Sequence, residues 1–494
     1  MNSTPEWITR SVSRLRTSAP AADKGGDKLA KAALDKSVTD VVAKVAVPRS
    51  THERLQATLR RGNEALSPRA LRRLLADLQE VVAPQVSEIE GGRRAQAVAE
   101  WYAKAEPEER RDMWLLMCEQ FAPDATRFKS ARQRYEAAAG TAEEGQAEIS
   151  LRRALVSPRT RLLQRFSVFP EGMRFLVDLR AEILPLLKAD KRLLPLDAEL
   201  EHLFSTWFDV AFLELRRLSW DSPASLLEKL IKYEAVHDIR SWADLKNRLD
   251  SDRRCYGFFH PRLPGEPLIF VEVALLDKIS SSITPLLDEA AAPADITRAT
   301  TAIFYSISNT QTGLRGVSFG DSLIKHVVET LTAEFPRLRT FATLSPIPGF
   351  RAWLGKHAGA MLERLDDKRR TELGRAVGFE PPQATHLLGA IDKALELDAK
   401  SPVRQMLLEC AAYYLGREMQ EGKPVDPVAR FHLGNGARVE RLNWAGDPSS
   451  KGQKQSYGLM VNYLYDLKRI DKHRSLLAQG KVPVSGDIDS LCRD

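Results

Sequence analysis

The chain has 494 residues, 43% of them hydrophobic and 28% charged, which is the balance of a globular protein with ample core material. At roughly 150 residues per domain it has room for two to four domains. No stretch approaches the roughly 20 apolar residues of a membrane-spanning helix, so no membrane partner is expected. The formal net charge of +7 favours anionic partners without choosing among nucleic acid, acidic lipid and a phosphorylated ligand. Cys118, Cys255, Cys410 and Cys492 stand singly, with no metal-ligand spacing, as suits a reducing, cytoplasmic compartment. The first twenty residues carry Arg and Ser but no apolar core, so they do not read as a secretory signal, and their arginines leave an organellar presequence open.

In chain order, residues 1–50 are rich in Ala, Lys, Ser and Asp and read as a flexible N-terminal segment. Residues 51–190 read as a helical domain of their own. "SPRALRRLLADLQEVV" offers Ser67 as an N-cap, Pro68 at the first helical position and apolar residues at helical spacing. "EPEERRDMWLLMCEQFA" and "PEGMRFLVDLRAEILPLL" repeat that pattern, and strand-like alternation is absent.

Beyond residue 190 the texture becomes mixed. "FDVAFLELRRLSW" (Phe208–Trp220) reads as a strand, followed by two helices begun by Ser222 and Ser241. "CYGFFHP" and "PLIFVEVALL" flank Pro264-Gly265 as a hairpin. Thr301–Leu331 reads as a strand, a loop punctuated by Gly313, Gly316 and Gly320, and a helix. "LRTFATLS" is a further strand, stopped by "PIPGF". A helical insertion is expected over about 352–422. "ARFHLGNGARVERLNW" reads as a hairpin turning at Asn435-Gly436, which puts His432 on a strand, and "SYGLMVNYLYDL" as a last strand.

The loop after Thr301–Asn309 matches neither common phosphate-binding fingerprint. Gly320 is followed by Asp321 rather than Lys, and the glycine spacing is not G-x-G-x-x-G. The physics of such loops still applies. Glycines let a backbone approach a ligand closely, and the N-terminus of the following helix attracts an anion.

"RGVSFGDSLIKHVV" resembles the acyl-CoA pyrophosphate loop of the N-acyltransferase (GNAT) fold. Arg315 and Gly320 match its ends, while Ser318 stands where a middle glycine is usual. Together, "FYSISNTQTGLRGV", "LSPIPGF", "FHLGNGA" and "GLMVNYLYDL" resemble the malonyl-CoA decarboxylase family. The resemblance covers the back half of the chain closely and the helical front half in kind. It implies an α+β architecture, with an all-α N-terminal bundle followed by a GNAT-like mixed-sheet catalytic domain at 191–494. It also implies loss of CO2 from malonyl-CoA to leave acetyl-CoA, a step in malonyl-CoA and fatty-acid metabolism that uses no metal and no organic cofactor.

Carried over residue by residue, the family pattern makes His432 the proton donor. Ser345 becomes the partner that orients the carboxylate or accepts a proton. Arg315, Gly316, Val317, Ser318, Phe319, Gly320 and Asp321 receive malonyl-CoA. Gln311 and Thr310 are candidates for the pantetheine amides, and Tyr457 and Asn443 for the acyl pocket. Ser345 and His432 lie far apart in sequence, so they must meet in the fold. The resemblance also implies a homo-oligomer, assembled through the helical domain.

Two other functions are open on sequence. One is an acyl-CoA-dependent N-acyltransferase using Glu272 as its base. The other is a non-catalytic acyl-CoA-binding scaffold. Nucleic acid is not an expected partner, because the basic stretch "LRRALVSPRTRLLQR" lacks aromatic interleaving. Metal catalysis has little support, since the histidines form no H-E-x-x-H pair.

Overall fold

In the computed structural model, residues 65–317 and 323–492 are described. The segment expected to be flexible, 1–50, lies outside them, as do Ser318, Phe319, Gly320 and Asp321. The first part of the described chain is helical from Pro68 to Trp207. Ser67 caps the helix Pro68–Val81 by accepting from the Ala70 N–H, and Leu71, Leu74, Leu75, Leu78 and Val81 bury one face. That is the spacing an amphipathic helix needs to cover a core with one stripe. Leu194–Trp207 extends the helical run past residue 190, and the buried Arg180 of the helix Gly172–Ile183 binds its Asp197 at 2.8 Å.

The remainder is a mixed helix-and-sheet structure. Its strands are β1 (Glu214–Leu218), β2 (Arg253–Phe259), β3 (Pro267–Leu276), β4 (Thr301–Asn309), β5 (Thr340–Thr343), β6 (Ser345–Pro346), β7 (Met419–Gln420), β8 (Lys423–Pro424), β9 (Arg438–Asn443) and β10 (Met460–Leu464). Eight of them form one sheet in the order β1-β2-β3-β4-β5-β10-β6, with β9 also paired to β10. All neighbours are antiparallel except β4 and β5, which run parallel. The helix Leu323–Glu334 falls in the crossover between those two, as a parallel connection requires. β2 and β3 are buried along nearly their whole length, which explains their continuous apolar runs.

Two expectations change. Phe208–Trp220 is a strand only over Glu214–Leu218, because Asp209 caps a short 3₁₀ turn at Val210–Phe212 first. Ser241 caps its helix by accepting from Asp244 N–H, whereas Ser222 accepts from Ser219 N–H and its helix starts at Ala224. The helices Phe350–Glu363, Asp367–Val377, Ala384–Ile391 and Pro402–Gly416 occupy the stretch between β6 and β7. Among the described residues, no helix is long and apolar enough to cross a membrane.

Candidate active site

The sheet forks at its centre. β4 and β5 pair from Thr301 and Thr340 to Phe304 and Thr343, and their last shared bond runs from Leu344 N–H to Phe304 O at 2.9 Å. β4 then continues to Asn309, while the other chain swings away as β6, where Ser345 pairs with Val461 of β10. Backbone groups on the two arms of such a fork no longer satisfy each other, so the slot suits an extended ligand with amides of its own.

Ser345 stands at the base of the fork. It is only 5% exposed, and its hydroxyl donates to Thr343 Oγ1 at 2.9 Å. Thr343 Oγ1 in turn accepts the Tyr463 N–H at 3.1 Å. The serine hydroxyl is thus held by its own strand and by β10. Its Oγ lies 3.3 Å from Nε2 of His432, 87 positions later in the chain. The two side chains meet, as the sequence demanded.

His432 arrives on a helix rather than a strand. The expected hairpin at Asn435-Gly436 is replaced by the helix Pro427–Gly434 followed by β9. The cause is local. Asp426 caps the helix by accepting from Val428 and Ala429 N–H, and Pro427 occupies the first helical position, where its missing N–H costs nothing. The imidazole stacks on the Tyr463 ring at 4.7 Å between centroids, and its Nδ1 lies 2.8 Å from the Tyr465 hydroxyl. Burial pushes its pKa down to about 3, so the ring is neutral at pH 7. Burial also raises the Tyr465 pKa, so the phenol keeps its proton.

A neutral imidazole has one N–H and one lone pair. Here each ring nitrogen faces one hydroxyl: with the Ser345 proton given to Thr343, Ser345 Oγ accepts from Nε2–H and the Tyr465 hydroxyl donates to Nδ1. Sequence reasoning missed Thr343 and Tyr465, which look like ordinary strand residues. The helix under His432 did have a signal, the Asp426-Pro427 pair.

Of the loop residues, Arg315 and Gly316 are exposed and Val317 is buried. Gly316 has φ +81°, a conformation that favours glycine. The loop residues 318–321 lie outside the described residues. A cavity of about 210 Å³ opens between the helices Leu323–Glu334 and Ile470–Ala478, with Asn435 and Tyr465 on its wall.

Other candidates are occupied by the protein itself. Glu272 is fully buried and binds Arg248 at 3.1 Å, an arrangement unlike that of an accessible transferase base. Gln311 accepts from Arg174 at 2.8 Å and donates to Pro267 O at 3.0 Å, and the Thr310 hydroxyl donates to that same carbonyl. Asn443 donates to Asn462 Oδ1 at 2.8 Å, and the Tyr457 ring lies under the Arg351 guanidinium.

A hydroxyl and a neutral imidazole in contact, buried at the base of the fork, define an acid–base site of the kind enzymes use. The sequence relationships are specific. The family model described as the malonyl-CoA decarboxylase C-terminal domain matches residues 211–494, and the one for the N-terminal domain matches 121–208. The chain is 38% identical over 361 residues to the mitochondrial malonyl-CoA decarboxylase of Rattus norvegicus, covering 70% of this chain and 73% of that one. The Mus musculus enzyme is 39% identical over 363 residues, with the same coverage of 70% and 73%.

Solved structures agree. The malonyl-CoA decarboxylase of Rhodopseudomonas palustris superposes with a TM-score of 0.72 at 40% identity, covering 85% of this chain and 99% of that one. That of Cupriavidus metallidurans gives 0.69 at 43% identity, covering 86% and 100%. The chain belongs to the malonyl-CoA decarboxylase family.

Proposed function

We propose that this chain decarboxylates malonyl-CoA through His432 and Ser345 at the fork, with the acyl-CoA laid along the slot between β4 and β6. The reaction is the family's: malonyl-CoA loses CO2 and acetyl-CoA remains. The thioester carbonyl is its own electron sink, which is why no metal or organic cofactor is assigned. When the bond between the α-carbon and the carboxylate breaks, its electron pair becomes an enolate on the thioester. The α-carbon then takes a proton.

His432 supplies that proton. The ring is neutral in the free enzyme, but the substrate carboxylate brings a negative charge beside it, and an opposite charge nearby favours the imidazolium. After CO2 has left, the imidazolium gives its Nε2 proton to the α-carbon and is neutral again. The overall reaction therefore consumes one proton from solution. Tyr465 suits both states, since its hydroxyl can donate to a bare Nδ1 or accept from Nδ1–H. Ser345 orients the carboxylate with its hydroxyl, or accepts a proton. Arg315, Gly316 and Val317, with Ser318 to Asp321 beyond them, receive the CoA diphosphate.

Supporting details come from the sheet. One parallel pair that splays, followed by a loop and a helix, is the arrangement expected of a GNAT-like fold. We also read 51–190 as an oligomerisation domain and 191–494 as the catalytic domain, and we assign the protein to the cytoplasm. The mitochondrial names of the rat and mouse relatives make the N-terminal arginines worth testing for import.

The observation that carries the mechanism is the 3.3 Å approach of Ser345 Oγ to His432 Nε2. The test is acetyl-CoA and CO2 release from malonyl-CoA by the His432→Ala and Ser345→Ala proteins. His432→Ala should lose about 10²–10⁴-fold in kcat, the worth of a positioned proton donor. Unchanged turnover in either variant would remove that residue from the mechanism.

A further inference from the structure

The segment leading into the CoA loop rests on one face of a helix far away in sequence. Arg174, Val177 and Arg180 are three residues apart along Gly172–Ile183, so they line a single face. Each touches the segment. Arg174 donates to Gln311 Oε1 at 2.8 Å. The carbonyl of Val177 lies so close to Gly313 that a Cβ there would sit 1.9 Å from it. Arg180 donates to two backbone carbonyls, Gly313 O at 2.7 Å and Arg315 O at 2.9 Å, while Asp197 holds its Nε at 2.8 Å. The Arg180 side chain is only 2% exposed.

This is more than ordinary packing requires. A guanidinium has five donors in a rigid fork, so one aimed at two carbonyls of one turn fixes where that turn lies. Burying it is expensive unless its partners are in place. Gly313 is required because any side chain would lift the segment off the helix.

We infer that the helix Gly172–Ile183 is a working part of the CoA site. Through Arg174, Val177 and Arg180 it sets the path of Gln311–Val317, and so governs affinity for the nucleotide end of the substrate while leaving the chemistry at the thioester alone. Arg180 and Gly313 are positioning residues. The inference rests on Arg315–Val317 belonging to the CoA site.

Two substrates separate affinity from chemistry: malonyl-CoA, and malonyl-N-acetylcysteamine, which has the same reacting end but no diphosphate. Arg180→Met, combined with Asp197→Leu so that only the solvent-exposed Glu201 loses a guanidinium partner, should raise the malonyl-CoA KM by about tenfold or more, with kcat little changed. Gly313→Ala, which disturbs the same contact without touching a charge, should do likewise. Neither should alter kcat/KM for the truncated substrate. Arg180→Lys should fall between wild type and Arg180→Met, since an ammonium lacks the planar fork.

Equal losses on both substrates would mean a purely structural role and would overturn the inference. So would an unchanged malonyl-CoA KM in both variants. Arg315→Ala with Gly316→Pro is the control for the loop itself. If that pair leaves the malonyl-CoA KM unchanged, the CoA-loop assignment falls, and this inference falls with it. If that pair raises the KM but the Arg180 and Gly313 variants do not, the loop stands and only the helix is released from its role.

Discussion

Two buried polar clusters flank the middle of the sheet, and they are built on opposite principles. On β3 and β4, Glu272 binds Arg248 at 3.1 Å, Arg248 binds Asp244 at 2.8 Å, and the carboxylate of Glu234 accepts from Ser306, Ser308 and the N–H groups of Val236 and His237. The carboxylates there find their partners inside the protein: Arg248 for Glu272 and Asp244, hydroxyls and backbone N–H groups for Glu234. At the fork, Ser345, Thr343, His432 and Tyr465 carry no charge, and the contact between Ser345 and His432 is the longest in the group at 3.3 Å. A cluster whose carboxylates are already partnered leaves little electrostatic work for a ligand. A neutral cluster next to a slot is completed by the charge a substrate brings. The first ties residues 234–248 to the sheet; the second is where we propose the chemistry takes place.

The comparison breaks most visibly if the fork cluster does not act as a unit. Ser345→Ala and His432→Ala should each lose about 10²-fold or more in kcat, and the double variant should lose little beyond His432→Ala alone, because groups in one catalytic unit are strongly non-additive. Fully additive losses, measured as acetyl-CoA formation under saturating malonyl-CoA, would show two independent roles.

In the paired cluster the expected effect is on stability. Arg248→Met strands Glu272 and Asp244, and should cost about 3–5 kcal/mol in denaturant unfolding, while the folded fraction keeps its kcat. The cost should be larger at pH 8 than at pH 6, because at lower pH Glu272 can neutralise itself by taking a proton. A loss of kcat without loss of stability would tie the two clusters together.

Tyr465→Phe sharpens the contrast at smaller scale. Losing one hydrogen bond to the imidazole should lower kcat by about tenfold, with KM little changed. An equal fall in stability and no change in kcat would reduce Tyr465 to packing.

A further effect in the paired cluster concerns pH. Burial, reinforced by Glu234, lifts the Glu272 pKa from its usual 4.5 to about 8. The folded chain therefore holds a proton that the unfolded chain releases. The stability this contributes is complete below about pH 4.5 and lost as pH rises to about 8, with a slope of at most about 1.4 kcal/mol per pH unit. Glu272→Gln should flatten that part of the stability curve. An unchanged curve would mean that Glu272 stays ionised across the range.

The sequence made the residues proposed for the chemistry legible better than their supports. Ser345 and His432 stood in recognisable stretches, and the β2–β3 hairpin was plain from two apolar runs flanking Pro264-Gly265. His432 looks like a strand residue because apolar Phe431 and Leu433 flank it and Asn435-Gly436 resembles a hairpin turn, yet it lies on the helix Pro427–Gly434. The Asp426 cap decides the matter, and it lies upstream of the stretch that drew attention.

Tyr465 and Thr343 were invisible for a different reason. A tyrosine or threonine in or beside a buried strand looks the same whether its hydroxyl meets a partner or nothing; Thr343 reaches Ser345 along its own strand, and Tyr465, just past β10, meets the imidazole only in the fold. The contacts of Arg180 with the carbonyls of Gly313 and Arg315 span 133 and 135 positions, which no local pattern encodes.

The most direct measurement is the protonation state of His432, read from ¹⁵N-labelled histidine by NMR near pH 7, with His432→Gln used to assign the signal. The ligands are acetyl-CoA and sulfoacetyl-CoA, which carries a negative charge where malonyl-CoA has its carboxylate but cannot lose CO2. The ring should be neutral in the free protein and with acetyl-CoA, and should become an imidazolium with sulfoacetyl-CoA. A ring that stays neutral with the anionic ligand, or that is already charged without it, would contradict proton delivery by this histidine.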